Sequence, residues 1–230
     1  MNAYKNIART MGILYIIGTI SGILSRVVIG SIQGAEDMLV SISTNGNQIT
    51  LGALFVLTMG LALSIVPVVA FPVLRKHDEI LATGYVVFRG ALEGVYYMAI
   101  VVSWLLLLPL SRVYQPGSPE VSNLRVLANV LLDAKEIAVF GAIVFCLGGL
   151  MFYYVLFQAK LVPQWLSGWG LIALVLDLAT GVLVMFGFFG PTSTISDILQ
   201  IPIGLQEMVL AVWLIVKGFS PSVIAPAKPA

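Results

Sequence analysis

Six apolar runs, each long enough to cross a bilayer, alternate with short polar stretches along the 230-residue chain. About 20 helical residues span the ~30 Å hydrocarbon core of a membrane. The runs fall at about 9–30, 49–73, 81–108, 137–157, 168–189 and 198–219. They predict an all-α fold, a polytopic transmembrane helical bundle of six spans in one domain. A tail over 220–230, with three prolines, reads as disordered.

The polar stretches refine this outline. Residues 31–48 read as a loop, with Glu36, Asp37 and the turn signal Asn45-Gly46-Asn47. Pro67 and Pro72 fall late in the second run and predict a kink or an early end there. Pro109 closes the third run. Ser118 before Pro119 reads as a helix cap with proline at the first helical position. A helix would then start near Pro119, and only its 137–157 part is apolar enough to cross. The preceding part, with Asp133, Lys135 and Glu136, reads as an interfacial or protruding turn. Gly18 and Gly22 in the first run permit close helix approach. Tyr153 and Tyr154 near the end of the fourth read as an interfacial belt.

Composition agrees with the pattern. The chain is 59% hydrophobic and 10% charged, with a mean hydropathy of +1.02. Soluble domains carry about 25% charged residues. A net charge of +1 gives no reason to expect nucleic acid as a partner, and membrane lipids are the expected surroundings. Cys146 is the sole cysteine and lies inside an apolar run. That excludes an intrachain disulfide and reads as a small buried hydrophobe. His77 is the sole histidine, which excludes bis-histidine haem and multi-histidine zinc sites. No nucleophile elbow, phosphate-binding glycine loop or zinc motif is present. No cofactor or metal is therefore expected. The first run lacks an Ala-x-Ala-like cleavage end and reads as a retained span.

Charge also predicts orientation. Lys5, Arg9, Arg75, Lys76, Lys160, Lys217 and Lys228 fall on the side of the termini, against Arg112 and Arg125 on the other. Positive residues stay inside, so both termini are expected in the cytoplasm, in a plasma (inner) membrane.

Candidate chemistry lies in charges within the runs. Such residues are costly in lipid, so they face the bundle interior and find partners. Arg89 and Glu93 are four apart, on one face of a helix. Glu93, Asp177 and Glu207 sit at similar depth on three different runs. Arg89 needs an acceptor wherever it is buried, so it is expected to bridge Glu93 and Glu207. Tyr97 is deep enough to hydrogen-bond these acids. Arg26, Asp133, Lys135 and Glu136 form a candidate second group near the outer face, with Arg26 by itself reading as a snorkelling side chain. Together these are three cations against five anions. A buried charge of −2 requires protonated carboxylates, a bound cation or water. Gly90-Ala91-Leu92-Glu93 and Gly204-Leu205-Gln206-Glu207 share a Gly-x-x-Glu pattern, the faint trace of an inverted repeat.

The stretch 202–219, with Pro202, Gly204, Gln206, Glu207, Trp213 and Lys217-Gly218-Phe219, resembles the C-terminal signature of a bacterial six-span family. That family is catalogued only as a domain of unknown function. The Arg89-to-Glu93 region and Leu161-Val162-Pro163-Gln164-Trp165-Leu166-Ser167 are also similar, although Gln164 stands where a basic residue is expected. The resemblance implies a bacterial or archaeal integral membrane protein and brings no activity. Three functional readings follow. The polar centre binds a small molecule or moves a solute, ion or proton. Or its charges only fix helix packing and partner binding. Or the protein is an intramembrane enzyme acting on a lipid or isoprenoid, with Glu93, Asp177 and Glu207 as acid–base or metal groups. The space between the third, fifth and sixth runs discriminates them.

Overall fold

The computed structural model describes residues 2–117, 119–133, 135–190 and 193–220. Ser118, the proposed cap, and the 221–230 part of the tail lie outside the described residues, as do the side chains of Asp133, Lys135 and Glu136. Every regular element among the described residues is a helix. Six are long and apolar enough to cross a membrane: Ala3–Gln33, Met38–Leu74, Glu79–Val113, Val139–Gln158, Gln164–Met185 and Thr194–Val216. We number these spans one to six. A shorter helix, Val121–Asp133, connects spans three and four.

Several boundaries differ from expectation. The loop expected over 31–48 is largely helical: span one continues to Gln33 and span two already begins at Met38. Asp37 caps that start by accepting from the Val40 N–H. Asn45-Gly46-Asn47 marks a kink inside span two, where Asn45 leaves helical geometry at φ −125°, ψ 37°. The hydroxyls of Ser43 and Thr44 bond back to the Val40 carbonyl at 2.7 and 3.2 Å. Such back-bonding competes with the helical ladder and bends it. Span two then runs through Pro67 and Pro72 to Leu74. Span three does not end at Pro109. The last piece, Leu107–Val113, places that proline in its first turn, where a backbone N–H has no helical partner to lose. Span five starts at Gln164 and ends at Met185, earlier than 168–189 at both ends. Span six begins at Thr194, capped by the Ser193 hydroxyl, so Pro202 lies well inside it.

The spans form a ring in chain order. Each packs on the next, and span six returns to pack on span one. Gly18 and Gly22 face Leu63 and Met59 of span two, the close approach that their spacing permits. The outer faces are apolar and exposed, as Ile13, Ile17, Ile20, Leu24 and Val27 show along span one. Leu54, Leu61, Ile65 and Val68 do the same along span two.

Both described ends of the chain lie at one end of the bundle. Gly218 lies against Ala8, the Ser220 N–H donates to the Leu161 carbonyl, and Lys76 bonds the Tyr4 hydroxyl. At the opposite end, spans one to three and the connecting helix bury Ile29, Ile32, Leu39, Ile42, Leu107, Ala128 and Leu132 together. A polar clamp closes this outer cluster. The Tyr114 hydroxyl and the Arg125 guanidinium both donate to Asp37 Oδ2, at 2.6 and 2.5 Å. Burial costs the carboxylate something, but these donors outweigh it and hold the Asp37 pKa below the ordinary carboxylate value.

Candidate functional site

A ring of six helices encloses an axis that must be filled, and here polar side chains fill it. Span three carries the centre. Its residues Val86–Leu92 form a π-helical stretch, with Arg89 in the middle. Wide turns of this kind recur at functional sites.

Arg89 is 2% exposed and is held on three sides. Its Nη1 donates to Glu93 Oε1 at 3.0 Å, and its Nη2 to Glu207 Oε1 at 3.1 Å. Its guanidinium lies over the Phe145 ring of span four, 4.3 Å from the centroid. Gly148 makes this approach possible. A Cβ there would stand 2.6 Å from Arg89 Cγ and 3.0 Å from the Arg89 backbone nitrogen. Arg89 thus joins spans three and six across the ring, through two charge-assisted bonds. Tyr97 donates to the same Glu93 Oε1 at 2.9 Å. Glu93 Oε2 is buried and has no hydrogen-bond partner among the described residues.

On the far side of the two glutamates is a cavity of about 340 Å³. Glu93, Tyr96 and Tyr97 line it from span three, and Gly141, Ala142 and Phe145 from span four. Asp177, Thr180, Gly181 and Val184 line it from span five, and Ser196, Gln200, Ile203, Gly204 and Glu207 from span six. Arg26 of span one completes it. Glu93, Phe145, Asp177 and Glu207 come from mid-span and form the floor. Arg26, Val139, Ser196 and Gln200 come from the outer parts of their helices, so the mouth lies at the end away from the termini. Asp177 is 6% exposed, and Cys146 Sγ donates to its Oδ2 at 3.3 Å. The buried cysteine therefore also serves as a weak donor. Ser196 is fully buried, and its hydroxyl has no partner among the described residues.

Toward the termini the axis is closed. Tyr15 and Tyr85 share a hydroxyl–hydroxyl bond of 3.1 Å, and Tyr85 stacks on Phe152 at 4.7 Å. Tyr153 donates to Gln206 Oε1 at 2.5 Å, and Gln206 Nε2 donates to the Leu166 carbonyl at 2.9 Å. All six of these residues are buried. Tyr153 belongs to this plug and not to an interfacial belt, whereas Tyr154 is 48% exposed.

The residues singled out in the sequence are thus unevenly placed. Arg89, Glu93, Glu207 and Tyr97 form one bonded cluster, and Asp177 faces it across the cavity. Arg26 lines the outer part of this same cavity, and the side chains of Asp133, Lys135 and Glu136, the rest of the expected outer group, lie outside the described residues. The repeat trace is not supported by the two glycines. Gly204 lines the cavity, while Gly90 faces Ser64 and Pro67 of span two. Among the described residues, no three of His, Cys, Asp and Glu are placed to hold a metal ion. Sequence reading missed Thr180, Ser196 and Gln200, and also Gly170, where a Cβ would stand 2.6 Å from the buried Tyr153 ring. The signal was there as helical spacing. Residues 196, 200, 203, 204 and 207 mark one face of span six, and 177, 180, 181 and 184 one face of span five.

No curated protein and no solved structure matches the chain. The sequence profile of DUF4386, a domain of unknown function, matches residues 10–218. The match begins inside span one and runs through span six, both arms of the Arg89 clamp included, and the chain, with six helices long and apolar enough to cross a membrane, belongs to the DUF4386 family.

Proposed function

We propose that the protein takes a small polar solute from one side of the membrane into a pocket at mid-depth, as a solute-binding or solute-moving membrane protein. One observation carries this reading: the cavity reaches from the outer end of the ring to the glutamates that hold Arg89. A bundle in which buried charges only fix packing has no need of it. The tyrosine–glutamine plug beneath suits a state open to one side, and passage to the other side would require that plug to part. The positive residues at the end of the termini support a cytoplasmic placement of that end, in the plasma membrane, with the mouth facing outward.

Water in the cavity tests the reading. Gly204→Cys in a Cys146→Ser background puts one thiol on the wall, where a Cβ meets nothing within 4 Å. N-ethylmaleimide, which is uncharged, alkylates thiols that water can ionise. We expect modification at a rate within about tenfold of free cysteine. A thiol as inert as one in lipid or in a packed core would overturn the reading.

A further inference from the structure

We propose that the cavity binds a primary ammonium group, the charged end of a small amine or amino acid. The inference rests on the solute-binding reading above and names the chemistry of the solute. Arg89 lies behind the two glutamates and does not line the cavity. Seen from inside, the floor is Glu93, Asp177 and Glu207, with one guanidinium, Arg26, at the mouth. Arg89 spends both of its bonds on the Oε1 atoms of Glu93 and Glu207. Among the described residues Glu93 Oε2 is left buried without a donor, and the Ser196 hydroxyl without a partner. Asp177 has the Cys146 thiol as its donor, a weak one.

A buried carboxylate oxygen without a donor is costly, and a protein keeps such an atom where a ligand supplies the bond. The missing partner must therefore donate. A positive partner fits best, because among the described residues Glu93, Asp177 and Glu207 face one buried guanidinium, that of Arg89, which bonds two of them. An ammonium supplies donors and a positive charge together, which fits a floor whose acceptors come from spans three, five and six. The Tyr96 and Tyr97 rings on the wall suit its alkyl portion.

Charge-selective labelling tests this on the same thiol. Gly204→Cys, and separately Ala142→Cys, both in the Cys146→Ser background, are treated with two methanethiosulfonates. One bears an ethylammonium group, the other an ethylsulfonate, and each rate is divided by that of free cysteine. We expect the ammonium reagent to lead by at least about tenfold, and the lead to shrink in Glu207→Gln and Asp177→Asn. Propylammonium should slow labelling to a plateau, while 1-propanol and propionate leave it unchanged. β-Alanine protecting as well would extend the assignment to an amino acid whose carboxylate meets Arg26. Equal rates for the two reagents, or a faster sulfonate, would overturn the ammonium assignment and leave the wet cavity standing. Silence toward both reagents and N-ethylmaleimide at both positions, in variants that keep the parent Tm, would overturn the cavity reading along with it.

Discussion

Arg89→Leu removes the cation that holds two carboxylates from different spans, and its cost can be worked from the geometry. Arg89 and Glu93 are 2% and 1% exposed, and Glu207 is 15% exposed. Arg89 and Glu93 are shielded from solvent, while Glu207 faces the cavity, which places the cost toward the lower end of the range for interior charges. Breaking a buried pair on one side costs about 3–5 kcal/mol, because the remaining charge is stranded. At roughly 2–4 °C per kcal/mol for a chain of this size, the variant should melt roughly 6–20 °C lower in detergent. The loss is mainly that of two stranded acids, so removing them should restore stability. Arg89→Leu with Glu207→Leu should regain part of it, and the triple variant with Glu93→Leu should regain more. The coupling between Arg89 and Glu207 should reach about 1–3 kcal/mol in a double-mutant cycle. Arg89→Lys should stay well below the parent, since an ammonium cannot reproduce the fork that reaches both glutamates. Additivity of the two single variants to within about 0.5 kcal/mol would refute the reasoning.

Gly148→Ala should lower Tm through about 1–3 kcal/mol of overpacking against Arg89, while Gly204→Ala, in open space, should be neutral. Equal effects in thermal melts would mean that span four does not rest on Arg89. At the outer clamp, Asp37→Asn should destabilise the protein at neutral pH. A carboxylate whose folded pKa is depressed stabilises above its ordinary value of 3.8 and loses that contribution as pH falls below it. The gap in Tm between parent and variant should therefore close below about pH 3.8, and a gap that widens there would contradict the assignment. Reporter fusions after Lys76 and after Ser220 should both read cytoplasmic, and one after Gly117 periplasmic; any reversal would sink the orientation.

How much of this was legible in the sequence depended on the kind of signal. Hydropathy located all six spans, since a spanning helix needs length and apolarity and little else. The Arg89–Glu93 contact was legible because it is local, and the Glu207 contact because an arginine at that depth must find an acid on another span. Turn residues misled where a longer helix overrode them. Asn45-Gly46-Asn47 bends span two without ending it, and Pro109 sits harmlessly in a first helical turn. The π stretch at Val86–Leu92 left no trace, because nothing in apolar periodicity distinguishes one widened turn. Tyr153 was misplaced because a tyrosine near a span end serves interface and interior equally well. The cavity itself was not legible, as it depends on how five helices lean, although the three carboxylates on its floor were.

The ring order bears on biogenesis. Each span docks on the one made just before it, so most of the bundle can assemble while the chain is being inserted. The exception is the sixth span, which closes the ring against the first. Until it arrives, Arg89 has one acid instead of two, and the Tyr153 hydroxyl lacks Gln206. Insertion through span five therefore proceeds with a half-satisfied charge in the membrane, and span six relieves it on arrival. A chain stalled before residue 206 would display that defect to the membrane's quality-control proteases, whereas a finished one would hide it.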